Sequence, residues 1–237
     1  MSGILSSLSR MEKKEVVLSV RDIKKTFMEG GQPLHILRGG GFDLHRGEII
    51  ALVGQSGTGK STLLQCVGLL DRPTAGSILV CGVPVQKMND EERTTIRRSK
   101  IGFVYQRHNL LSDFNALENV ALPMMANGVA EDVAFARSAK LLKSVNVLHR
   151  AGHLPGQMSG GEQQRTAVAR AIANNPDIVL ADEPTGSLDP EHANAVFDML
   201  LELVRKNKMS MLFVTHDMGL AQRADRQITI KNGIIKQ

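Results

Sequence analysis

The chain has 237 residues, of which 42% are hydrophobic and 22% are charged, and its formal net charge is +5. These values are typical of a globular protein with a buried core, and they exclude a disordered or low-complexity chain. Apolar runs such as Ile49–Val53 are far shorter than the roughly 18 to 20 residues that a membrane-spanning helix needs. The N-terminus has no long apolar stretch typical of a signal peptide, so we predict a cytoplasmic protein.

The charge and the cysteines restrict the partners and the compartment. The positive charge would suit a solvated surface, an anionic membrane surface or nucleic acid. The chain contains one Tyr and no Trp, which leaves little with which to stack bases, so we predict no nucleic-acid partner. Cys66 and Cys81 lack the spacing of metal ligands, and we expect two reduced packing cysteines.

The sequence of the N-terminal third indicates a tail followed by strands. Residues 1–15 are expected to be a tail, in which three apolar side chains could form a short amphipathic helix: Ile4, Leu5 and Leu8. Residues 16–20 alternate and are β-branched like a strand, and Phe42–Leu44 indicates another. Glu48–Val53 is a short apolar run bounded by glycines, which is typical of a buried parallel strand.

The rest of the chain alternates between helix and strand. Helices are predicted over Thr62–Leu70, Gly160–Ala173 and Glu191–Arg205, and strands over Ile101–Tyr105, Ile178–Ala181 and Met211–Val214. Residues 112–150 have a helical pattern of their own. This alternation predicts a mainly parallel sheet covered on both faces, with a helical lobe inserted at about residues 107–173.

A glycine-rich loop follows the strand that ends at Val53 and opens the next helix. Its sequence fits the pattern G-x-x-x-x-G-K-[ST] of a phosphate-binding loop, or P-loop, in the structural context that the pattern requires. Glycines allow the backbone N–H groups to approach a triphosphate closely. Lys60 would then neutralise the β- and γ-phosphates, and the Ser61 hydroxyl would hold Mg²⁺. The predicted nucleotide-binding residues here are Gly54, Gln55, Ser56, Gly57, Thr58, Gly59, Lys60, Ser61 and Thr62.

Polar side chains follow three other predicted strands. Asp182 and Glu183 end the run Ile178–Ala181, where Asp182 suits Mg²⁺ and Glu183 suits the attacking water. Two acidic residues after a strand are, without other motifs, commonly only solvated. The presence of the P-loop favours the functional interpretation. His216 follows the strand Met211–Val214 and could reach the γ-phosphate. Gln106 follows Ile101–Tyr105 and could offer its amide oxygen to Mg²⁺ or water.

A second glycine loop lies in the predicted helical lobe. Its residues, Met158-Ser-Gly-Gly-Glu-Gln-Gln-Arg165, resemble the signature of the ABC ATPases, usually Leu-Ser-Gly-Gly-Gln. A glycine loop at a helix N-terminus with a free hydroxyl is a second anion site, even though Ser159 also serves as a helix cap. One chain with two half-sites for γ-phosphate predicts a dimer that sandwiches two ATP molecules. The partner's P-loop would face three residues: Ser159, Gly160 and Gly161.

The resemblance to ABC ATPases covers about residues 16–237. It implies a single domain with a P-loop NTPase core, an N-terminal antiparallel β portion and an inserted α-helical lobe, together an α/β fold. It further implies a Q-loop at Gln106, a catalytic Glu183, a D-loop at 187–189 and a switch histidine at His216. Phe27 matches the aromatic residue that stacks on adenine, where most relatives have Tyr.

Within the family, the stretch 106–123 resembles the ATPases of lipoprotein-releasing transporters of Gram-negative bacteria. This resemblance implies a peripheral ATPase at the cytoplasmic face of the inner membrane that drives lipoprotein release. A MacB-like exporter of drugs or peptides is the alternative, since Ala181-Asp-Glu-Pro-Thr-Gly186 fits that branch as well. A soluble ABC ATPase acting on nucleic acid would usually carry tandem ATPase domains, a long coiled coil or zinc cysteines, which this sequence lacks.

The implied partners are two integral membrane subunits of the LolC and LolE type. The segment 107–125 directly follows the Q-loop and is rich in apolar residues. Many of these should pack inside the helical lobe, but Leu110, Leu111 and Phe114 precede the predicted helix. We expect these three to form an exposed patch on which a cytoplasmic helix of a membrane subunit docks.

Overall fold

The computed structural model describes residues 15–237, which form two sheets and a set of helices. The strands are β1 (Val16–Glu29), β2 (Gln32–Arg38), β3 (Phe42–His45), β4 (Ile49–Val53), β5 (Ala75–Val80), β6 (Val83–Pro84), β7 (Ile101–Tyr105), β8 (Ile178–Asp182), β9 (Ser210–Thr215), β10 (Arg226–Lys231) and β11 (Ile234–Lys236). The helices are α1 (Lys60–Val67), α2 (Asp90–Lys100), α3 (Ala116–Met125), α4 (Glu131–Ser144), α5 (Gly160–Ala171), α6 (Pro190–Lys206) and α7 (Met218–Ala221). Two short 3₁₀ turns, Leu148–Arg150 and Pro155–Gln157, lie between α4 and α5.

The larger sheet has the strand order β11-β10-β4-β9-β8-β7 and is parallel except for the β10–β11 pair. Its register places Asp182 opposite Val214 and Tyr105, and Val53 opposite Thr215. The carboxyl ends of four strands therefore meet at one edge. Every polar residue that the sequence placed after a strand belongs to this edge, where open α/β sheets bind their ligands.

Both faces of the larger sheet are buried, because alternate residues of β4 enter different cores. Ile50 and Leu52 belong to a core shared with α1 and the smaller, antiparallel sheet, in which β1 pairs with β2, β3 and β5. Ile49 and Ala51 belong to the opposite core, which α6 and the helices α3, α4 and α5 cover. These three helices pack on one another as a lobe. The predicted fold class, with its antiparallel β portion and helical lobe, is confirmed.

Several predicted bounds were wrong. The strand predicted at 16–20 continues as β1 to Glu29, across an irregularity between Lys25 and Thr26 that the charged sequence had hidden. The helix predicted to end at Leu70 ends at Val67, because Leu69 has a φ of 60° and cannot continue a right-handed helix. The helix predicted to end at Ala173 ends earlier, at Ala171. The sequence interpretation also missed β2, β5, β6, α2, α7, β10 and β11.

Helix α2 carried a signal that could have found it. Asn89 and Glu92 form a capping box, three acidic residues fill the first turn, and basic residues fill the last. This pattern satisfies the unpaired N–H groups and complements the helix dipole. The apolar periodicity on which the prediction relied is weak in this helix, in which Arg93 is the buried residue.

Both cysteines are free thiols: Cys66 is buried in α1, and Cys81 follows β5. Burial raises the pKa of Cys66 to about 11, which keeps the thiol protonated and unreactive. In the described part of the chain, no helix combines the length and the apolar character needed to cross a membrane. The predicted tail helix at Ile4, Leu5 and Leu8 lies outside the described residues.

Candidate active site

The P-loop wraps the N-terminus of α1. Gly59 has a φ of 100°, and a Cβ there would lie 3.0 Å from Cγ2 of Ile36, so both the backbone and the space require glycine. Lys60 is the first residue of α1 and is buried. Its Nζ donates to the carbonyl oxygens of Gly54 and Gln55, each at 2.7 Å. The loop is thus held closed by the same ammonium group that can neutralise a phosphate.

A cavity of about 600 Å³ opens beside the P-loop at the carboxyl edge of the sheet. Its volume is in the range of small-molecule sites. The structure brings together here most of the residues that the sequence proposed from separate strands. The lining consists of Ile36, Ser56, Gly57, Gly59, Lys60, Ser61, Thr62, Gln106, Asp182, Glu183, Val214 and His216.

Ser61 and Asp182 form an oxygen-rich corner of this cavity. The Ser61 hydroxyl hydrogen-bonds to the Asp182 carboxyl group, and burial together with the nearby Glu183 raises the pKa of Asp182 despite that bond and Lys60. A half-buried carboxylate without a full countercharge, beside a hydroxyl, fits a hard cation such as Mg²⁺. No cluster of three or more metal-binding side chains exists among the described residues. Mg²⁺ needs none, because it takes one or two carboxylates and completes its shell with phosphate and water.

Gln106 lies at the rim of the cavity. Its side chain packs against the turn after β8, where a Cβ on Gly186 would lie 3.0 Å from Gln106 Nε2. The carbonyl of Gln106 accepts a hydrogen bond of 2.9 Å from the Ser187 hydroxyl. The Q-loop residue therefore contacts the segment predicted as the D-loop within one chain.

Glu183 and His216 contact each other in the lining of the cavity. His216 Nδ1 lies 2.8 Å from each carboxylate oxygen of Glu183. Glu183 has a φ of 47°, and its N–H donates to the Val214 carbonyl at 3.1 Å. A left-handed backbone at a residue other than glycine costs about 1–3 kcal/mol and is concentrated at functional sites. A carboxylate that a histidine orients toward a cavity can accept a proton from water.

The second glycine loop lies outside this cavity. Ser159 caps α5 and is exposed, and a Cβ on Gly160 would lie 3.5 Å from Leu188. A Cβ on Gly161 would lie 3.7 Å from His192 at the start of α6. The loop therefore presents its hydroxyl and amide groups at the surface beside residues 187–189, where a second molecule can reach them.

The predicted adenine-stacking residue, Phe27, also lies outside the residues that line the cavity. It is on β1 with 39% of its surface exposed, and Lys25 Nζ is 4.7 Å from its ring centroid. The apolar contacts within the cavity come from Ile36 on β2 and Val214 on β9. The sequence interpretation missed these two residues, since neither stands in a motif.

The predicted docking patch is partly exposed. Leu111 and Phe114 are 49% and 38% exposed, whereas Leu110 is half-buried. The buried Asn119 holds this loop, because its amide oxygen accepts from the Leu111 N–H at 2.8 Å and its amide nitrogen donates to the Phe114 carbonyl at 2.8 Å.

An apolar groove of about 430 Å³ lies between α2, β7, α3 and α5. Among its lining residues are Leu70, Phe103, Tyr105 and Pro123. The residues Leu110, Leu111 and Phe114 do not line it. Tyr105, which lines the groove, directly precedes Gln106 at the rim of the cavity.

The comparisons with known proteins agree with this site. The sequence model of the ABC transporter family matches residues 37–186. The chain is 46% identical over 219 residues to the lipoprotein-releasing system ATP-binding protein LolD 1 of Rhodospirillum rubrum, covering 92% of this chain and 97% of that one. It is 49% identical over 218 residues to LolD of Roseobacter denitrificans, covering 92% and 96%.

A solved structure resembles the whole described fold. The dimeric bacterial ABC transporter cassette MJ0796 matches with a TM-score of 0.86 and 37% identity, over 93% of this chain and 97% of that one. The same cassette in a post-hydrolysis state bound to ADP and Pi matches equally well. The family match covers more than half of the chain, and it includes the P-loop, the signature loop and both carboxylates. The protein is therefore an ATPase subunit of the ABC transporter family and resembles the LolD proteins.

Proposed function

We propose that two copies of this chain bind two ATP molecules between them and that hydrolysis drives release of lipoproteins from the inner membrane. The observation that carries the proposal is the cavity, in which Lys60, Asp182, Glu183 and His216 converge while the signature loop faces outward. The relatives of this chain in Rhodospirillum rubrum and Roseobacter denitrificans are named for lipoprotein release, and the chain matches them over nearly their full length. The subunit would work at the cytoplasmic face of the membrane with partners of the LolC and LolE type.

In this proposal the P-loop binds the triphosphate, and each polar group has one role. Lys60 neutralises the β- and γ-phosphates, and backbone N–H groups of the loop complete the anion site. Ser61, Asp182 and Gln106 would hold Mg²⁺, which supplies charge neutralisation on the phosphate oxygens. The remaining loop residues that surround the phosphates are Gly54, Gln55, Ser56, Gly57, Thr58, Gly59 and Thr62. Phe27 is proposed to reach the adenine ring.

Hydrolysis is assigned to two side chains. The Glu183 carboxylate accepts a proton from the attacking water, and His216 orients that carboxylate and contacts the γ-phosphate. Ser159, Gly160 and Gly161 of the second copy close the site from the opposite side. Because neither copy holds a complete site alone, turnover is tied to closure of the dimer.

The assembled transporter tests the cargo assignment. The chain and its two membrane subunits are reconstituted in liposomes that carry a lipoprotein, and release is followed after addition of ATP and a soluble acceptor. We expect release with the wild-type chain and none with Glu183→Gln. ATP-dependent movement of a drug or peptide, with the lipoprotein left in the membrane, would instead identify a MacB-like exporter.

ATP should control dimerisation. In Glu183→Gln, bound ATP persists, so the partner's Ser159 and Gly161 stay bridged through the γ-phosphate. We expect a dimer with ATP and Mg²⁺ and a monomer with ADP, measured by size-exclusion chromatography with light scattering. A matched Ser159→Arg variant should stay monomeric with ATP, because its side chain would fill the contact. If Glu183→Gln without the Ser159→Arg change stayed monomeric with ATP, the proposed ATP-sandwich dimer would be contradicted.

A charge on the docking patch should uncouple the membrane subunits. Phe114→Asp places a carboxylate in the proposed apolar contact, so pull-down of the membrane subunits should fall at least tenfold while ATP binding persists. Leu70→Asp is the matched variant, since Leu70 is also exposed and lies in the groove instead. If Leu70→Asp lost pull-down while Phe114→Asp retained it, the membrane subunits would dock in the groove instead. Melting curves of both variants exclude a folding defect.

A further inference from the structure

The signature loop of this chain carries a charge that the usual motif lacks. Its fifth residue is Glu162, where Leu-Ser-Gly-Gly-Gln has an uncharged glutamine. The Glu162 carboxylate accepts the Ser159 N–H at 2.8 Å, and the Glu162 N–H donates to Ser159 Oγ at 3.3 Å. The Ser159 hydroxyl also hydrogen-bonds to the Glu162 carboxylate and helps to lower the pKa of Glu162. Its hydrogen can therefore turn to an incoming anion only when other donors satisfy that carboxylate.

The same arrangement creates an electrostatic problem. A γ-phosphate that reaches Ser159 would also lie near the Glu162 carboxylate, and two negative charges at such range repel. Arg150 lowers the pKa of Glu162 to about 2, with help from the Ser159 N–H, so the carboxyl group is ionised at any physiological pH. A cation beside Glu162 would offset this repulsion.

Arg150 supplies that cation from the 3₁₀ turn before the signature loop. Its Nε donates to Glu162 Oε1 at 2.8 Å, and His149 Nε2 lies 3.3 Å from the same oxygen. Both carboxylate oxygens are thus engaged, one by Ser159 and one by Arg150. The guanidinium also contacts His153 at 3.2 Å, which fixes its position from the other side.

The residues that directly follow this turn are anchored to the start of α3. The N–H groups of Ala116 and Leu117 donate to the carbonyl oxygens of His153 and Ala151, at 3.0 and 2.9 Å. Arg150 therefore projects from a fixed backbone rather than from a free loop. A cation held in this way can set both the charge and the orientation of the signature loop.

We propose that Arg150 is a positioning residue for ATP hydrolysis, which neutralises Glu162 and keeps the Ser159 hydroxyl available to the partner's γ-phosphate. The inference rests on the proposed ATP-sandwich dimer. It assigns a role to a residue that stands in none of the sequence motifs, and it explains how this chain uses glutamate where glutamine is usual.

Steady-state hydrolysis by the full chain tests the proposal. Arg150→Ala leaves the Glu162 charge unbalanced, so kcat/KM for ATP should fall on the order of tenfold, and this loss should shrink as ionic strength rises. Arg150→Lys keeps the charge and should retain part of the activity. Adding Glu162→Gln to Arg150→Ala should recover most of the loss, because glutamine still accepts the Ser159 N–H and no longer repels phosphate.

Controls separate this role from a structural one. Arg205→Ala removes an arginine from the ion pair with Asp225 and should leave kcat/KM unchanged. Wild-type kinetics in Arg150→Ala, or a double variant no better than the single one, would overturn the inference alone. A wild-type chain that neither hydrolyses ATP nor dimerises with it would remove the proposed function and this inference with it.

Discussion

Replacement of Glu183 by glutamine is expected to lower ATP hydrolysis by roughly 100- to 10,000-fold, the range that a positioned general base contributes. Glutamine preserves the shape and can still hydrogen-bond to His216, whose Nδ1 lies 2.8 Å from the carboxylate. It cannot accept a proton from water as a carboxylate does. Lys60 and Ser61 are unchanged, so ATP should bind with nearly wild-type affinity.

Two measurements on one preparation check this expectation. Phosphate release from the assembled transporter gives turnover, and binding of a fluorescent ATP analogue gives affinity. Glu191→Gln is the matched control, because it is the same substitution at an exposed residue in the first turn of α6, eight residues away. Turnover at the wild-type rate in Glu183→Gln, with ATP bound, would rule out its role as the base.

Much of the candidate site could be predicted because it follows from local sequence. Asp182 and Gln106 come directly after an apolar run and His216 one residue after another, and a parallel sheet brings the ends of such runs to one edge. The observed register does so, with Asp182 opposite both Val214 and Tyr105. Strand β7 was predicted to the residue, since five apolar or small residues between polar neighbours leave little choice.

Other residues could not be predicted, because their roles depend on contacts distant in sequence. Ile36 reaches the cavity because β2 lies against the P-loop at Gly59, and nothing in the sequence around Ile36 indicates this. Arg150 lies twelve positions before its partner Glu162, in a turn without a motif. The C-terminal bound of β1 was missed for a related reason. Residues 25–29 pair only with β2, are half-buried or exposed, and lack the alternation that burial imposes.

Removal of the Lys60 charge is expected to abolish turnover by a different route, through loss of ATP binding. Each charge-assisted hydrogen bond contributes about 1.5–3 kcal/mol, so loss of contacts to two phosphates should raise Kd for ATP at least a hundredfold. Lys60 also closes its own loop through the carbonyl oxygens of Gly54 and Gln55, each at 2.7 Å. Lys60→Ala should therefore loosen the empty loop as well as weaken the complex.

A comparison of Lys60→Ala with Lys60→Met separates the loss of the ammonium group from the loss of packing by the side-chain stem. Methionine retains an unbranched apolar stem in the buried channel that Lys60 occupies, but it supplies neither the charge nor the donors. Both variants should lose ATP binding in a titration with the fluorescent analogue. Thr58→Ala removes only the 2.9 Å bond from its hydroxyl to the Gln55 carbonyl, so it reports loop stability without loss of charge. If Lys60→Met bound ATP like the wild-type chain, the ammonium group would be needed neither for the phosphates nor for loop closure in ATP binding, and the weak binding of Lys60→Ala would reflect lost packing.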